Sequence, residues 1–505
     1  MSSEIVAPPR TFLAVVRRLG PGLIVAGSIV GSGELIATTK VGAESGFVLL
    51  WLILIGCIIK VFTQVELGRS AVVRGVTALQ TLDDLPGPRF RAGWAVWLWV
   101  AMTLLTLAQQ GGIIGGVGQA LAMSQPLTDA GAHFHQLQEE LVGLQVQLAL
   151  NPLAVQATET AARMQALREQ LAAIGPVDDE AIWATVLAVP TSVILVIGRF
   201  ALIQILATIF VVAFTAVTVL TVVMLQLDPV WAIRATDVID GLSFQLPSTG
   251  GATSGGATTG ASASIATALA AFGIIGVGAA ELVMYPYWCL EKGYARMTGA
   301  ADGTSAWRER AKGWMRVLQC DAWLSAVVYT FATVAFFLLG AAVLGRVGLN
   351  PEKENLVRTL AQMYAPVFGS WATPVFLVGA FAVLYSTFFV ASAGLARIAA
   401  DCVIVLRLAP DTVAARLRYT RVFCGALPLV SLLVFVWVRA PAQLVLAGGI
   451  AQALMLPVLG FAALWSRYRR TDAALTPGKL WDALLWLSCA GFLVAGVWAV
   501  VSHLG

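Results

Sequence analysis

The sequence predicts an all-α membrane protein of about eleven transmembrane helices, built as two inverted five-helix repeats plus one further span. Three observations lead there: the apolar composition, the placement of Lys and Arg, and a short acidic motif that occurs twice. Of 505 residues, 58% are hydrophobic and only 12% charged, and the mean hydropathy is +0.82. A water-soluble chain of this length is not so apolar.

A helix of roughly 20 apolar residues crosses the hydrocarbon core. Such stretches fall at 21–39, 47–67, 94–123, 182–198, 201–225, 265–290, 323–344, 373–396, 422–438, 444–465 and 484–501. Arg10, Arg17 and Arg18 precede the first, Arg69, Arg74, Arg89 and Arg91 follow the second, and further basic clusters follow the sixth, eighth and tenth. With eleven spans all of these lie on one side, which places the N-terminus in the cytoplasm and the C-terminus outside a cell (inner) membrane. The first apolar run is long, Gly-rich and lacks a small-residue cleavage site before a soluble domain, so it reads as a retained span. A net charge of +4 is small and says little about partners; the expected partner is the lipid bilayer, and no nucleic-acid partner is expected. The six cysteines have no metal-ligand spacing and are expected as free buried thiols.

The expected organisation is an N-terminal segment 1–19, a first repeat 20–226 (spans 1–5) with an extracytoplasmic insertion 124–181, a linker 227–264, a second repeat 265–466 (spans 6–10) and span 11 within 480–505. The insertion repeats apolar residues at helical spacing on either side of Asn151-Pro152 and reads as an amphipathic helical hairpin, dispensable for transport because its apolar face is satisfied within itself. His133 and His135 have no third ligand nearby and are expected to be exposed. The tract 247–264 is rich in Gly, Ser and Thr and reads as a flexible linker.

Many transporters open each of two inverted repeats with an interrupted helix. Span 1 contains Val30-Gly31-Ser32-Gly33-Glu34-Leu35-Ile36, and span 6 contains Val277-Gly278-Ala279-Ala280-Glu281-Leu282-Val283. The two runs match at a constant offset of 247 residues, with an intramembrane carboxylate in register. Unwinding is predicted at Gly31 to Gly33 and at Gly278 to Ala280, exposing carbonyls and amides as ligands, with Pro286 opening a second half-helix. A buried carboxylate needs a counter-charge, a proton or a cavity. No intramembrane Lys or Arg offers itself, since Lys60 and Glu66 on span 2 read as lying nearer the cytoplasmic end, snorkelling or paired locally. Two glutamates brought together disfavour ionisation of both, and a dication would balance the pair. Glu34 and Glu281 are therefore the candidate cation ligands, with Gly31, Ser32, Gly33, Gly278, Ala279 and Ala280 around them. Gln109, Gln110, Tyr385, Ser386, Thr387 and Gln452 are candidates to line the path, although interhelical hydrogen bonding explains them equally well. The bland reading of each glutamate is a protonated residue bonded between helices.

The chain resembles the Nramp family of divalent metal transporters over essentially all its spans. The resemblance rests on GPGLIVAGSIVGSGELIATTKVGAESGFVLLW at the start, with Gly20-Pro21-Gly22 and the passage from Gly42-Ala43 to Trp51, on residues 377–401, and on Leu454-Met455-Leu456-Pro457. It implies a leucine-transporter-like fold of the APC superfamily, with broken helices 1 and 6, and membrane transport. The family's signature motifs are absent. Where it has Asp-Pro-Gly-Asn this chain has Gly31-Ser32-Gly33-Glu34, and where it has Met-Pro-His this chain has Ala280-Glu281-Leu282. The acidic residues that the family uses for proton coupling fall within 110–114, where none is present. Loss of the thioether favours hard ions and is shared with the Nramp-related magnesium transporters, so the expected substrate is a divalent cation, with Mg²⁺ foremost and without proton coupling. One alternative is an amino-acid or organic-cation transporter of the same superfamily, because Gly31-Ser32-Gly33 is similar to the turn that holds a substrate carboxylate there. Another is a non-transporting membrane scaffold or receptor. No cofactor is expected, and no enzyme: there is no nucleotide-binding loop and no nucleophile paired with a base.

Overall fold

The computed structural model describes residues 5–150, 157–175, 177–198, 201–247, 261–352 and 355–504. Ten described helices are long and apolar enough to cross a bilayer, and Ala201–Leu225 lies between the fourth and sixth spans as an eleventh. Span 1 is Pro21–Ser45, span 2 Leu50–Arg74, span 3 Trp94–Ser124, span 4 Asp179–Ile197 and span 5 Ala201–Leu225. Span 6 comes in two halves, Ala261–Ile274 and Ala279–Lys292. Spans 7 to 11 are Ser305–Gly345, Ala372–Val405, Val413–Val438, Pro441–Arg469 and Lys479–Leu504. Apart from two longer helices in the insertion, the other regular elements described are short, among them a hairpin of two-residue strands, Arg89–Phe90 and Ala92–Gly93.

Spans 1 and 6 form the centre of the bundle. Spans 7 and 8 pack on span 1, and span 10 packs on span 3 and on the first half of span 6. Lipid supplies no hydrophobic drive between helices, so close backbone approach through small residues does much of the packing. Gly31 meets span 8, where a Cβ would fall 2.2 Å from Thr387 Oγ1. All six cysteines are free thiols, but Cys320 is exposed and Cys489 only partly buried.

The insertion is a helical hairpin, Asp129–Leu150 and Ala157–Ile174. Its helices share a small core of Leu137, Leu141, Met164 and Leu167, with Arg163 paired to Glu140 at 2.8 Å. The Asn151-Pro152 turn lies outside the described residues, as does most of the Gly/Ser/Thr tract; the end of that tract, from Ala261, is already helix. The first hairpin helix does not satisfy itself alone. Gln145 donates to the carbonyl of Gly348 at 3.3 Å, and Arg358 reaches Glu139 at 3.5 Å. His133 is exposed as expected, but His135 is buried against the body of the protein, with neither ring nitrogen hydrogen-bonded.

Burial, with a smaller push from the Arg358 charge and a pull back from Asp179, lowers the His135 pKa to about 4. Once undocked, the imidazole titrates near 6.5, so it takes up a proton more readily free than docked. Docking of the hairpin is therefore fully stable above about pH 6.5 and weakens as pH falls towards 4. Amide exchange within Asp129–Leu150 should quicken on going from pH 7 to pH 4.5, after correction for intrinsic rates. The His135→Phe variant should lose that extra sensitivity; an unchanged pH dependence in the variant would exclude His135 as its source.

Candidate functional site

Span 6 is interrupted part-way along its length, although not at the residues expected. The break is Ile275 to Gly278, and Ala279 and Ala280 already belong to the second half, in which Pro286 sits internally. Gly276 takes a φ of +58°, a left-handed conformation that costs only glycine nothing. A Cβ there would also stand 3.2 Å from the Cα of Cys57 on span 2.

Span 1 does not unwind at Gly31 to Gly33. Its α-helix is instead interrupted by a wider π-helix over Val30–Thr38. Inside a membrane an unpaired backbone group costs several kcal/mol, and the π-helix avoids this by keeping the ladder closed with a longer reach. Thr38 Oγ1 donates to the Gly33 carbonyl at 2.9 Å, giving that oxygen a partner of its own.

Side chains from other spans satisfy the groups that the span 6 break releases. Glu34 Oε1 accepts from the Gly276 amide and from the Thr333 hydroxyl on span 7, each at 3.0 Å. Lys60 Nζ donates to the carbonyls of Phe272 at 2.5 Å and Ile275 at 2.7 Å and stands 4.9 Å from the Phe272 ring centroid. Lys60 is fully buried at the depth of the break, which corrects both its expected position and the expectation that no intramembrane base is at hand. The local-pair reading does hold for Glu66, whose carboxylate binds Arg69 at 2.9 Å. On the far side of the break, Gln452 Oε1 accepts from the Ala280 amide at 2.8 Å. Gln452 Nε2 donates to Gln109 Oε1 at 2.6 Å, and Gln109 Nε2 donates to Ser32 Oγ at 2.9 Å. One polar relay thus joins spans 6, 10, 3 and 1.

Glu281 occupies the first turn of the second half-helix, where the helix's positive end stabilises negative charge. Its carboxylate folds back over the break, where a Cβ on Gly278 would stand 2.4 Å from Glu281 Oε2 and 2.7 Å from Gln452 Oε1. Glu34 Oε2 is buried and has no hydrogen-bond partner, and the same is true of Gln110 Oε1. Thr387 joins the site's edge by donating to the Gly27 carbonyl at 3.2 Å. Tyr385 and Ser386 do not join it: the Tyr385 hydroxyl pairs with Thr191 on span 4 at 2.9 Å, and Ser386 bonds to its own helix at Val383. Among the described residues no three His, Cys, Asp or Glu side chains gather as a metal-ligand set.

Span 1 is fastened at both ends. At its start, Asp321 on span 7 accepts from the amides of Gly20 at 2.9 Å and Gly22 at 2.5 Å and from the Tyr285 hydroxyl at 3.0 Å. Near its other end, Lys40 binds Glu44 at 2.9 Å, Asn350 at 2.8 Å and Glu352 at 2.9 Å. Asp401, on span 8, accepts from Thr77 and Tyr287, each at 2.6 Å, and pairs with Arg416. Sequence reading misplaced Lys60 and missed Thr333, for which it held no signal, and Asp321 and Asp401. For Lys60, Asp321 and Asp401 the available signal was an ionisable residue inside an apolar run, and for Lys60 it was misread by depth.

No protein-family model matches the chain, and no curated protein matches it by sequence. Solved structures do match. The manganese transporter of Eremococcus coleocola, in complex with an aromatic bis-isothiourea substituted compound, superposes with a TM-score of 0.60 at 14% identity, over 99% of this chain and 89% of that one. A mutant of the same transporter gives 0.59 at 14% identity, over 98% and 88%. The chain has an Nramp-like fold. The expected helical membrane fold is thereby met, with span 6 broken; span 1, expected to break as well, instead runs on as continuous helix with a π-helical middle.

Within this Nramp-like fold the polar relay should behave as one unit. Replacing Gln452 by Leu strips partners from the Ala280 amide and from Gln109, and should cost about 1–3 kcal/mol. Gln109→Leu should cost a similar amount, while the double variant costs less than the sum. Thermal unfolding of the four proteins in detergent measures this; strict additivity would show that the two amides act independently.

Proposed function

We propose that this protein is a secondary transporter that carries a divalent cation by alternating access, with Glu34 and Glu281 as its acidic ligands. The observation that carries the reading is the unpartnered, buried Glu34 Oε2 at the break of span 6, with a second buried carboxylate, Glu281, in the first turn of the half-helix that follows. A buried carboxylate oxygen without a partner is costly unless a ligand completes it. The oxygens that could face an ion there are those of the two carboxylates and of the Thr333 hydroxyl, hard donors that suit an ion such as Mg²⁺, which would keep part of its water. The Lys60 ammonium does not cancel this demand, because it rests on the carbonyl end of a half-helix carrying about half a negative charge of its own. The fastenings at both ends of span 1 are consistent with an occluded state, and release of one while the other holds would open one side. In this reading the N-terminus is cytoplasmic and the protein sits in the cell membrane.

A second reading is favoured by Lys60 itself. Two ionised glutamates and one ammonium sum to a single negative charge, which a singly charged organic cation would balance. The amino-acid alternative is weaker, since Glu281 already occupies the positive end of the second half-helix and the π-helix leaves no open turn at Gly31 to Gly33.

Purified protein in liposomes should take up a divalent ion from a panel of Mg²⁺, Ca²⁺ and Mn²⁺, rather than amino acids or alkylammonium ions. Glu281→Gln and Glu34→Gln retain shape and hydrogen bonding while losing charge, and each should lower uptake about tenfold or more, the worth of one charged contact. Wild-type divalent uptake by both folded variants would make the glutamates structural. Uptake of alkylammonium alone would favour the second reading.

A further inference from the structure

The first half of span 6 ends at Ile274 in the middle of the bundle. The last carbonyls of a helix have no partner within it, and they carry its partial negative charge. In broken transporter helices, such unwound carbonyls and half-helix C-termini are where coupling ions are held. Here the place is taken. Lys60 Nζ reaches the Phe272 and Ile275 carbonyls at 2.5 and 2.7 Å, is fully buried, and has the Phe272 ring 4.9 Å away as a further cation-binding face. Its stem rises from span 2, so the charge is delivered from a neighbouring helix and fixed there by the chain.

We propose that the Phe272 and Ile275 carbonyls form a monovalent-cation site that this protein fills permanently with the Lys60 ammonium, so that no free inorganic cation is needed to hold the break of span 6. The tethered charge has two consequences. The break keeps its shape whatever the Na⁺ or K⁺ concentration, and the site adds no co-transported ion to the cycle. This goes beyond the transport reading, because it concerns the other end of the break and its test reads stability rather than uptake.

The test compares the thermal unfolding midpoint of purified protein in NaCl, KCl and choline chloride at equal ionic strength. Wild type should unfold at the same temperature in all three. Lys60→Ala vacates the carbonyls; it should unfold earlier in choline and recover in a saturable way with Na⁺ or K⁺. Lys60→Ser, which leaves less empty space and adds an oxygen, should show the same rescue. In Lys60→Ala crystals grown with Rb⁺, the anomalous signal should lie against the Phe272 and Ile275 carbonyls. A specific Na⁺ or K⁺ dependence in wild type would overturn the proposal. So would variants equally stable in the three salts, variants recoverable in none of them, or Rb⁺ found only at the glutamates.

Discussion

A helix that stops inside a membrane leaves carbonyls on one side of the gap and amides on the other, with no water to receive them. The rest of this structure depends on how that demand is met at span 6. Lys60 from span 2 takes the carbonyl end, and Glu34 from span 1 takes the Gly276 amide inside the gap. Gln452 from span 10 takes the amide end. Each cap comes from a different helix, so the break is also the point at which spans 1, 2, 6 and 10 are tied together. Thr333 and Gln109 extend the tie to spans 7 and 3. The same contacts that stabilise the gap bring two carboxylates and an ammonium to one depth, which is why site and scaffold cannot be separated here.

The repeated Val-Gly-small-small-Glu-Leu motif made the pseudo-symmetry legible from sequence, since period and register survive in the residues themselves. What it could not show is that the two halves solve their shared problem differently. In span 6, Gly276 has the left-handed conformation that opens the chain. In span 1, Gly31 and Gly33 serve close approach, Gly31 to Thr387 and Gly33 to the carbonyl of Ile274, while the backbone remains helical. A glycine looks the same in sequence whether it supplies a bend or a missing Cβ, and only the neighbours decide. Lys60 was misplaced for a related reason. An ionisable residue near the inner end of an apolar run looks like a snorkelling side chain until the partner helix is known to end beside it.

The departures from the family motifs have a physical counterpart in these contacts. A glutamate at position 34 has the reach to bond Gly276 across the gap, and it leaves only its second oxygen without a partner. Glu281, by contrast, sits at the positive end of a half-helix, where its charge is already eased. The two carboxylates are equivalent in sequence and unequal in place. Glu34 is bound to the break and therefore senses its shape; Glu281 stands in the first turn of the second half-helix.

That inequality bears on how opening would be coupled to occupancy. Span 1 is held to span 7 at its start by Asp321 and to the segment after span 7 near its end by Lys40, so neither end is free to swing without breaking charged contacts. Between those fastenings lies the π-helix. A π-helix has one residue more per hydrogen-bonded turn than an α-helix, and such segments are commonly found at functional sites. Converting part of Val30–Thr38 between the two ladders would rotate Glu34 relative to Gly276 and lengthen or shorten the helix without exposing an unpaired backbone group to lipid. The span that carries one carboxylate thus has a register it can change at low cost. The span that carries the other has a gap held by Lys60 at its carbonyl end, so a change of register in span 1 would shift one carboxylate while that end of the gap keeps its shape.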